Sequence, residues 1–365
     1  MSSHPLQRLS VRLFSAFRRL VAWGRNWIQE RPAVAMWFYP ENSSEADYRQ
    51  HNGRMFAGFH EQERMLADQP RMAFYHAAIA RHIQPGDRIV DLGTGTGILA
   101  ALAARRGAAH VYAIDHSEIL THARTLVAAN EIQNVEFLAL HSTAFTVSEP
   151  VDVILHEQMG DCLFDESMVA NITDLRDRVL KPGGLILPSR FELYCEPIKI
   201  YDNRVVPFIW ELDVHGYNYA CLDRERPQDP GYYRLVSCDP TLVEHCLGEP
   251  QPALEVDLHT LIESEMPHEI TFTRTVVNPG RLDGFAVYFC ARVDSDLSLS
   301  SDPLDPGRAP HWGFRILRSE REDFAVGDVI EIRLSVGRWP DLNSWRWSHI
   351  KRAAADSGLA ARAAK

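Results

Sequence analysis

No apolar run in the 365-residue sequence approaches the ~18–20 residues that a membrane-spanning helix needs. The six cysteines, at 162, 195, 221, 238, 246 and 290, include no CxxC pair. That excludes a disulfide scaffold and a cysteine-based zinc site, and it implies a reducing compartment. Basic residues are in the minority, 38 Lys and Arg against 49 Asp and Glu, for a formal charge of −11. A general nucleic-acid binder must turn a basic face to phosphates, so no nucleic-acid partner is expected. Small cations and Arg- or Lys-rich polypeptides suit a negative field better. With 45 % hydrophobic and 24 % charged residues the composition is globular, which excludes disorder and collagen. The expectation is a soluble, cytoplasmic protein with two domains or one large one.

The first 46 residues depart from that composition. Leu6, Leu9, Leu13, Phe17, Leu20 and Trp27 recur at helical spacing, with Arg8, Arg12 and Arg19 on another face. A basic amphipathic helix of this kind can contact an anionic membrane or serve as a presequence. Packing on the protein's own body or on a partner subunit is the preferred reading, because most such stripes face a core. Without a long apolar region or a small-residue cleavage site, a secretory signal is not expected.

From Asp47 to His82 the chain reads as helical, with breaks near Gly53, Gly58 and Pro70. Strands are predicted at Asp87–Leu92, His110–Asp115, Val135–Leu140, Val151–His156 and Leu185–Pro188, the last after a Lys181-Pro-Gly-Gly184 turn. Helices are predicted at Ile98–Arg106, Ser117–Asn130 and Met168–Leu180. This alternation implies a doubly wound parallel sheet with helices on both faces. Beyond Pro188 short alternating runs separated by Gly, Pro and Asp turns imply an antiparallel β domain, interrupted by an aromatic-rich insertion from Tyr201 to Tyr233.

The first strand opens into Gly93-Thr-Gly-Thr-Gly97, a loop that brings backbone N–H groups close to a ligand. The dinucleotide fingerprint is GxGxxG, and here the glycines alternate instead. Asp91, just ahead of the loop, would repel a pyrophosphate and favour a ligand carrying an ammonium and a sulfonium, as S-adenosylmethionine does. Asp115, ending the second strand, stands where an acid takes two ribose hydroxyls. The reading is a methyl-donor site. After the fourth strand, Glu157 and Glu166 flank an acidic loop at the carboxyl edge of the sheet, where open α/β folds bind ligands. Paired carboxylates there suit a guanidinium, but spacing alone fits a solvated loop equally well. HExxH zinc ligation fails at both His-Glu pairs, because Gly160 and Arg64 stand where the second histidine is needed. No metal is expected.

Glu157-Gln-Met-Gly … Phe164-Asp-Glu166-Ser-Met168 resembles the double-glutamate loop of the protein arginine methyltransferases. Three further segments, in the same order as in that family, strengthen the resemblance. Met65-Leu-Ala-Asp68 followed by Arg71 is similar to the helix that closes over the cofactor, and Pro310-His-Trp312 to the Thr-His-Trp loop of the substrate-arginine pocket. Trp210 with His215-Gly-Tyr217 resembles the start of a dimerisation arm. The likeness runs from about residue 47 to 347.

The resemblance implies S-adenosylmethionine as cofactor, held by Met65, Arg71, Asp91, Gly93, Gly95, Gly97, Asp115, Ser142, Thr143 and Met168. Arg71 would meet the methionine carboxylate, while Met65 and Met168 shape the space beside the reactive nitrogens. Glu157 and Glu166 would clamp and polarise the guanidinium, with His311 orienting it or relaying a proton and Met159, Asp165 and Trp312 lining the substrate pocket. It also implies a Rossmann-like methyltransferase domain at 47–188 and an antiparallel β-barrel-like substrate domain at 189–350. The latter would bear a helical dimerisation arm near 201–233, giving a homodimer, and a flexible tail would follow at 351–365. Some positions depart from the family pattern. Gln158, Asp161 and Asp165 stand where aromatics are usual, and Pro310 replaces Thr. Ser142 and Thr143 stand near where an acid commonly meets the adenine amine. The expected substrate is arginine in proteins or peptides. The alternatives are free L-arginine or another small guanidine, and a non-catalytic binding partner that retained the fold. A hydride-transferring enzyme is a distant third, opposed by Asp91 and the loop spacing.

Overall fold

A computed structural model describes residues 56–164 and 166–353. The amphipathic segment at 1–46, Asp165 and most of the tail lie outside the described residues. Two helices open the fold, α1 (Phe59–Ala67) and α2 (Gln69–His82), and Asp68 separates them. Asp68 caps α2, its carboxylate accepting from the Arg71 N–H, and Pro70 occupies the first turn, where a missing donor costs nothing. Phe74, Tyr75, Ala78 and Ile79 form the buried stripe of α2.

Next come β1 (Arg88–Leu92), α3 (Ile98–Arg105), β2 (His110–Asp115), α4 (Leu120–Ala129), β3 (Val135–Ala139), β4 (Val151–His156), α5 (Met168–Val179) and β5 (Leu180–Leu187). The five strands pair in parallel in the order β3-β2-β1-β4-β5. The order reverses between β1 and β4, so a crevice opens at their carboxyl ends. Leu92 pairs with His156, so the Gly-rich loop and the acidic loop leave the sheet side by side. Lys181-Pro-Gly-Gly184 does not end the pairing as expected. β5 continues through it, and the extra residues are taken up by a register shift between β4 and β5.

The second half is antiparallel. β6 (Arg190–Ile200), β9 (Arg234–Ser237), β10 (Val243–Cys246), β13 (Gly280–Arg292) and β15 (Phe314–Phe324) order as β10-β6-β13-β15-β9, with β11 (Leu254–Asp257) and β14 (Ser298–Ser300) attached. A smaller sheet joins β12 (Glu269–Thr275), β16 (Val329–Val336) and β17 (Trp345–Arg352). Alternate residues of β13 serve two cores. Phe285, Val287, Phe289 and Ala291 face the main core, which continues into the parallel sheet, while Ala286 and Tyr288 face a second cluster with Ile198 and Phe314.

The insertion near 201–233 is not α-helical. It holds 3₁₀ turns and the two-stranded hairpin β7 (Asp213–Val214) and β8 (Tyr217–Asn218). His215 and Gly216 both take positive φ, at 54° and 86°, as a two-residue hairpin turn requires. Pro207, Pro227 and Pro230 remove the donors a longer helix would need. Among the described residues no helix is long and apolar enough to cross a membrane.

Candidate active site

The Gly-rich loop follows β1. Gly93, Gly95 and Gly97 have φ of 72°, 54° and 80°, a region that side chains rarely adopt. A Cβ at Gly95 would lie 3.2 Å from the Gln62 side chain, so α1 covers the loop closely. Asp115 ties the loop to β2. Its Oδ2 accepts from Gly95 N (3.0 Å), and its Oδ1 from Ser117 N (2.8 Å) and Oγ (2.7 Å). Asp91 is buried. Its Oδ2 accepts from Thr94 Oγ1 (2.5 Å) and Ala100 N (3.0 Å), and its Oδ1 has no hydrogen-bond partner. Burial raises its carboxyl to about 6, against the pull of those two donors. An unmatched acceptor beside three left-handed glycines is what a cationic, amine-bearing ligand would complete.

On the acidic loop, Glu157 lies 3.2 Å from Arg71 Nη2. Burial pushes the Glu157 carboxyl up while Arg71 opposes the shift, and the nearby Asp68 and Glu61 carboxylates add to it. Arg71 also donates to the Met65 carbonyl (3.0 Å) and sits 5.7 Å from the Tyr75 ring centroid. Tyr75 in turn donates to the His156 carbonyl at 3.0 Å, holding the end of β4. The loop doubles back at a tight turn closed by a Gly160–Leu163 bridge, with Leu163 N donating to Gly160 O at 2.8 Å and Leu163 at φ 68°. In sequence, Glu157 stands three residues before the bridged pair and Glu166 three after it.

Beyond the turn, Met168 begins α5 and is fully buried, as is Met159. Ser142 is buried, and its carbonyl accepts from Arg178 Nη2 (2.9 Å). Thr143 is exposed and lies 3.0 Å from His141 Nδ1.

The His-Trp loop arrives from the second half of the chain. His311 N donates to Asp68 Oδ2 (2.8 Å), its carbonyl accepts from Arg64 Nη2 (3.2 Å), and its Nδ1 lies 3.6 Å from Glu61 Oε1. Burial, helped by the Arg71 and Arg64 cations, depresses the His311 imidazole to about 3, so the ring is neutral at neutral pH. Trp312 is buried and donates from Nε1 to the Met159 carbonyl at 2.5 Å. The structure therefore gathers Arg71, Glu157, Met159, His311 and Trp312 at one end of the Gly-loop crevice. Asp165 lies outside the described residues. Among those residues no group of three or more His, Cys, Asp or Glu is placed to hold a metal ion.

Comparison with known proteins identifies the family. Residues 89–184 match the family model described as a methyltransferase domain. Protein arginine N-methyltransferase 6 of Danio rerio is 30 % identical over 264 residues, covering 70 % of this chain and 75 % of that protein. The chain belongs to the protein arginine N-methyltransferase family. A probable protein arginine N-methyltransferase 6.2 of Oryza sativa subsp. indica is 35 % identical over 240 residues, 64 % of this chain, which spans 59 % of that relative's length. Among solved structures, protein arginine methyltransferase 10 of Arabidopsis thaliana superposes with a TM-score of 0.70 at 25 % identity, covering 83 % of this chain and 96 % of that one. A Trypanosoma brucei enzyme–prozyme heterotetrameric complex with AdoHcy shares the fold, with a TM-score of 0.69 at 20 % identity over 81 % of this chain and 98 % of that one.

Within this family framework the structure adds residues that sequence reasoning missed. Gln62 lies against the Gly loop, Glu61 faces His311, and Asp68 joins α2 to the His-Trp loop. The only local signal was Asp68 ahead of a helix with Pro in its first turn, which marks a cap and gives no hint of the distant contact. Asp161, legible in the sequence as a departure from the family pattern, gains partners here. It stands where the family usually has an aromatic, and its carboxylate is engaged by Gly313 N and Arg315.

Proposed function

We propose that the protein transfers a methyl group from S-adenosylmethionine to the guanidino group of arginine in proteins or peptides. The observation that carries this reading is the Arg71–Glu157 pair. A guanidinium already sits on the buried glutamate, one loop away from a glycine cradle with an unmatched carboxylate oxygen. The residues present fit the cofactor. Asp115 would hold the ribose hydroxyls, the Gly93–Gly97 loop and Asp91 the aminoacyl end, Arg71 the carboxylate, and the Ser142–Thr143 segment the base. Met65 and Met168 would border the transfer site. The bound cofactor supplies a sulfonium-activated methyl group, and in-line displacement then depends on orientation and electrostatics.

Glu157 and Glu166 hold the substrate guanidinium by paired N–H···O bonds and draw its positive charge toward one side. The remaining nitrogen is left better able to attack. His311, neutral in its buried position, orients the site in preference to relaying a proton. Met159 and Trp312 wall the pocket. Engagement of Asp161 by Gly313 and Arg315 takes away one anchor for the α-ammonium of free arginine, which supports the protein or peptide substrate.

Further features support the assembly and setting of this enzyme. The hairpin insertion exposes Ile209, Val214 and Tyr217, the last 76 % exposed. These residues suit packing against a second copy in a homodimer. All six cysteines are free thiols, which favours a reducing, cytoplasmic setting. The domain limits proposed are those at residues 47, 188 and 350.

The test is mass spectrometry after incubating the protein and cofactor with free L-arginine beside an Arg-rich peptide, with Glu157→Gln as control. Methylated peptide from the native chain alone supports the reading. Methylation of free arginine in preference to every peptide replaces the substrate. No transfer at all would indicate a binding partner that retained the fold.

A further inference from the structure

We propose that Asp161 is a positioning residue that fixes the acidic loop to the antiparallel half of the protein, an inference that rests on the proposed methyl transfer. Asp161 and Cys162 are the two turn residues inside the Gly160–Leu163 bridge. The carboxylate at this tip reaches across to the other half of the chain. Oδ1 accepts from Gly313 N at 2.8 Å, and Oδ2 lies 3.2 Å from Arg315 Nη2.

Arg315 is a rigid anchor. Its side chain is 5 % exposed, and its backbone is paired on both sides within the large antiparallel sheet, to Val287 of β13 and Val236 of β9. Gly313 is needed for the approach. A Cβ there would lie 3.2 Å from both Asp161 Oδ2 and the Ser237 carbonyl, with backbone on one side and the anchoring carboxylate on the other. The Trp312 bond to the Met159 carbonyl fixes the ascending arm of the same loop. Held at its tip and on one arm, the loop that carries Glu157 and Glu166 is fixed to the large antiparallel sheet. Because its lone pairs turn inward, Asp161 is not a free charge at the mouth.

The test uses the full chain with Asp161→Ala, Asp161→Asn, Arg315→Gln and the Asp161→Asn/Arg315→Gln double variant. Cofactor affinity, measured by calorimetry, reports that each variant is folded and should match the native chain. With an Arg-rich peptide at saturating cofactor, Asp161→Ala should lower kcat about 10- to 100-fold, the scale of a small misplacement of reacting groups. Its peptide KM should change far less. Asp161→Asn, which keeps an acceptor for Gly313 N, should retain more activity. The double variant should be no worse than the poorer single one, since both remove the same ion pair.

Amide hydrogen exchange supplies a readout independent of turnover. The Gly160–Phe164 amides should exchange faster in Asp161→Ala, with the Gly93–Gly97 loop unchanged. An unaltered kcat in Asp161→Ala, additive losses in the double variant, or unchanged exchange at Gly160–Phe164 would each overturn the proposal. If the native chain methylates no guanidine, the proposed function fails, and the exchange result still decides whether Asp161 fixes the loop.

Discussion

Arg71 and Glu157 form an ion pair of 3.2 Å between side chains that are 6 % and 13 % exposed. The pair joins α2 to the acidic loop across the mouth of the crevice. Removing one partner of a buried pair leaves the other without compensation. Arg71→Met is therefore expected to cost about 3–5 kcal/mol at neutral pH. The cost should shrink in acid. Burial already raises the Glu157 carboxyl, and without the cation it rises further, so the folded state holds a proton that the unfolded state has released. Stability of the variant then falls as pH rises through that window. Urea titrations at pH 5.5 and 8 check this, and equal stability losses at the two pH values would contradict it.

The proposed glutamate clamp makes a kinetic prediction. Glu157→Gln and Glu166→Gln should each leave cofactor binding largely intact while methylation drops at least about 100-fold, as when one preorganised electrostatic contact is lost. Single-turnover assays with saturating cofactor decide it. Near-native turnover in either variant removes that glutamate from the mechanism.

Asp115 should matter twice, since the proposed function gives it the ribose and it also holds Gly95 N. Asp115→Ala is expected to weaken cofactor binding by roughly 1–3 kcal/mol, the range for charge-assisted hydrogen bonds. Calorimetry measures this directly. Undiminished affinity would withdraw Asp115 from the site.

His156 supplies a pH-dependent stability term. It is fully buried, its Nε2 donates to the Pro188 carbonyl at 2.8 Å, and burial lowers its imidazole from 6.5 to about 4. Between those values the unfolded chain takes up a proton that the folded chain refuses, so stability is present above pH 6.5 and is lost as pH falls toward 4. The full loss is on the order of 3 kcal/mol. Asp91 acts in the opposite sense, its carboxyl being raised to about 6, so the comparison must be made against a variant. His156→Gln should flatten the stability curve between pH 7 and 4.5 relative to the native chain. Parallel curves would refute the assignment.

Local patterns were legible where one strand or helix makes its own case. The Gly93–Gly97 loop, the parallel strands β1 to β4, and the run from Val329 to Val336 all follow from periodicity and turn residues, and the structure places them accordingly. The glutamate spacing was legible, whereas the tight turn between the two glutamates was not, because Leu163 takes a positive φ without being glycine. Contacts between distant segments left no trace. Asp161 meets Gly313 across 152 residues and Asp68 meets His311 across 243, and no window of sequence spans either pair. The insertion near 201–233 was read as helical through its likeness to a dimerisation arm, and its prolines and the His215–Gly216 turn decide otherwise.

Asp68 uses one oxygen to start α2, accepting from Arg71 N at 2.9 Å, and the other to bind His311 N at 2.8 Å. Asp68 thus ties the covering helices to the His-Trp loop, beside the Arg64 bond to the His311 carbonyl. If the cofactor binds beneath α1 as proposed, its release requires that the Asp68 contact break or that the His-Trp loop travel with the helices. The Arg71 and His311 amides, far apart in the chain, should then become accessible to solvent in the same opening event and at a common rate.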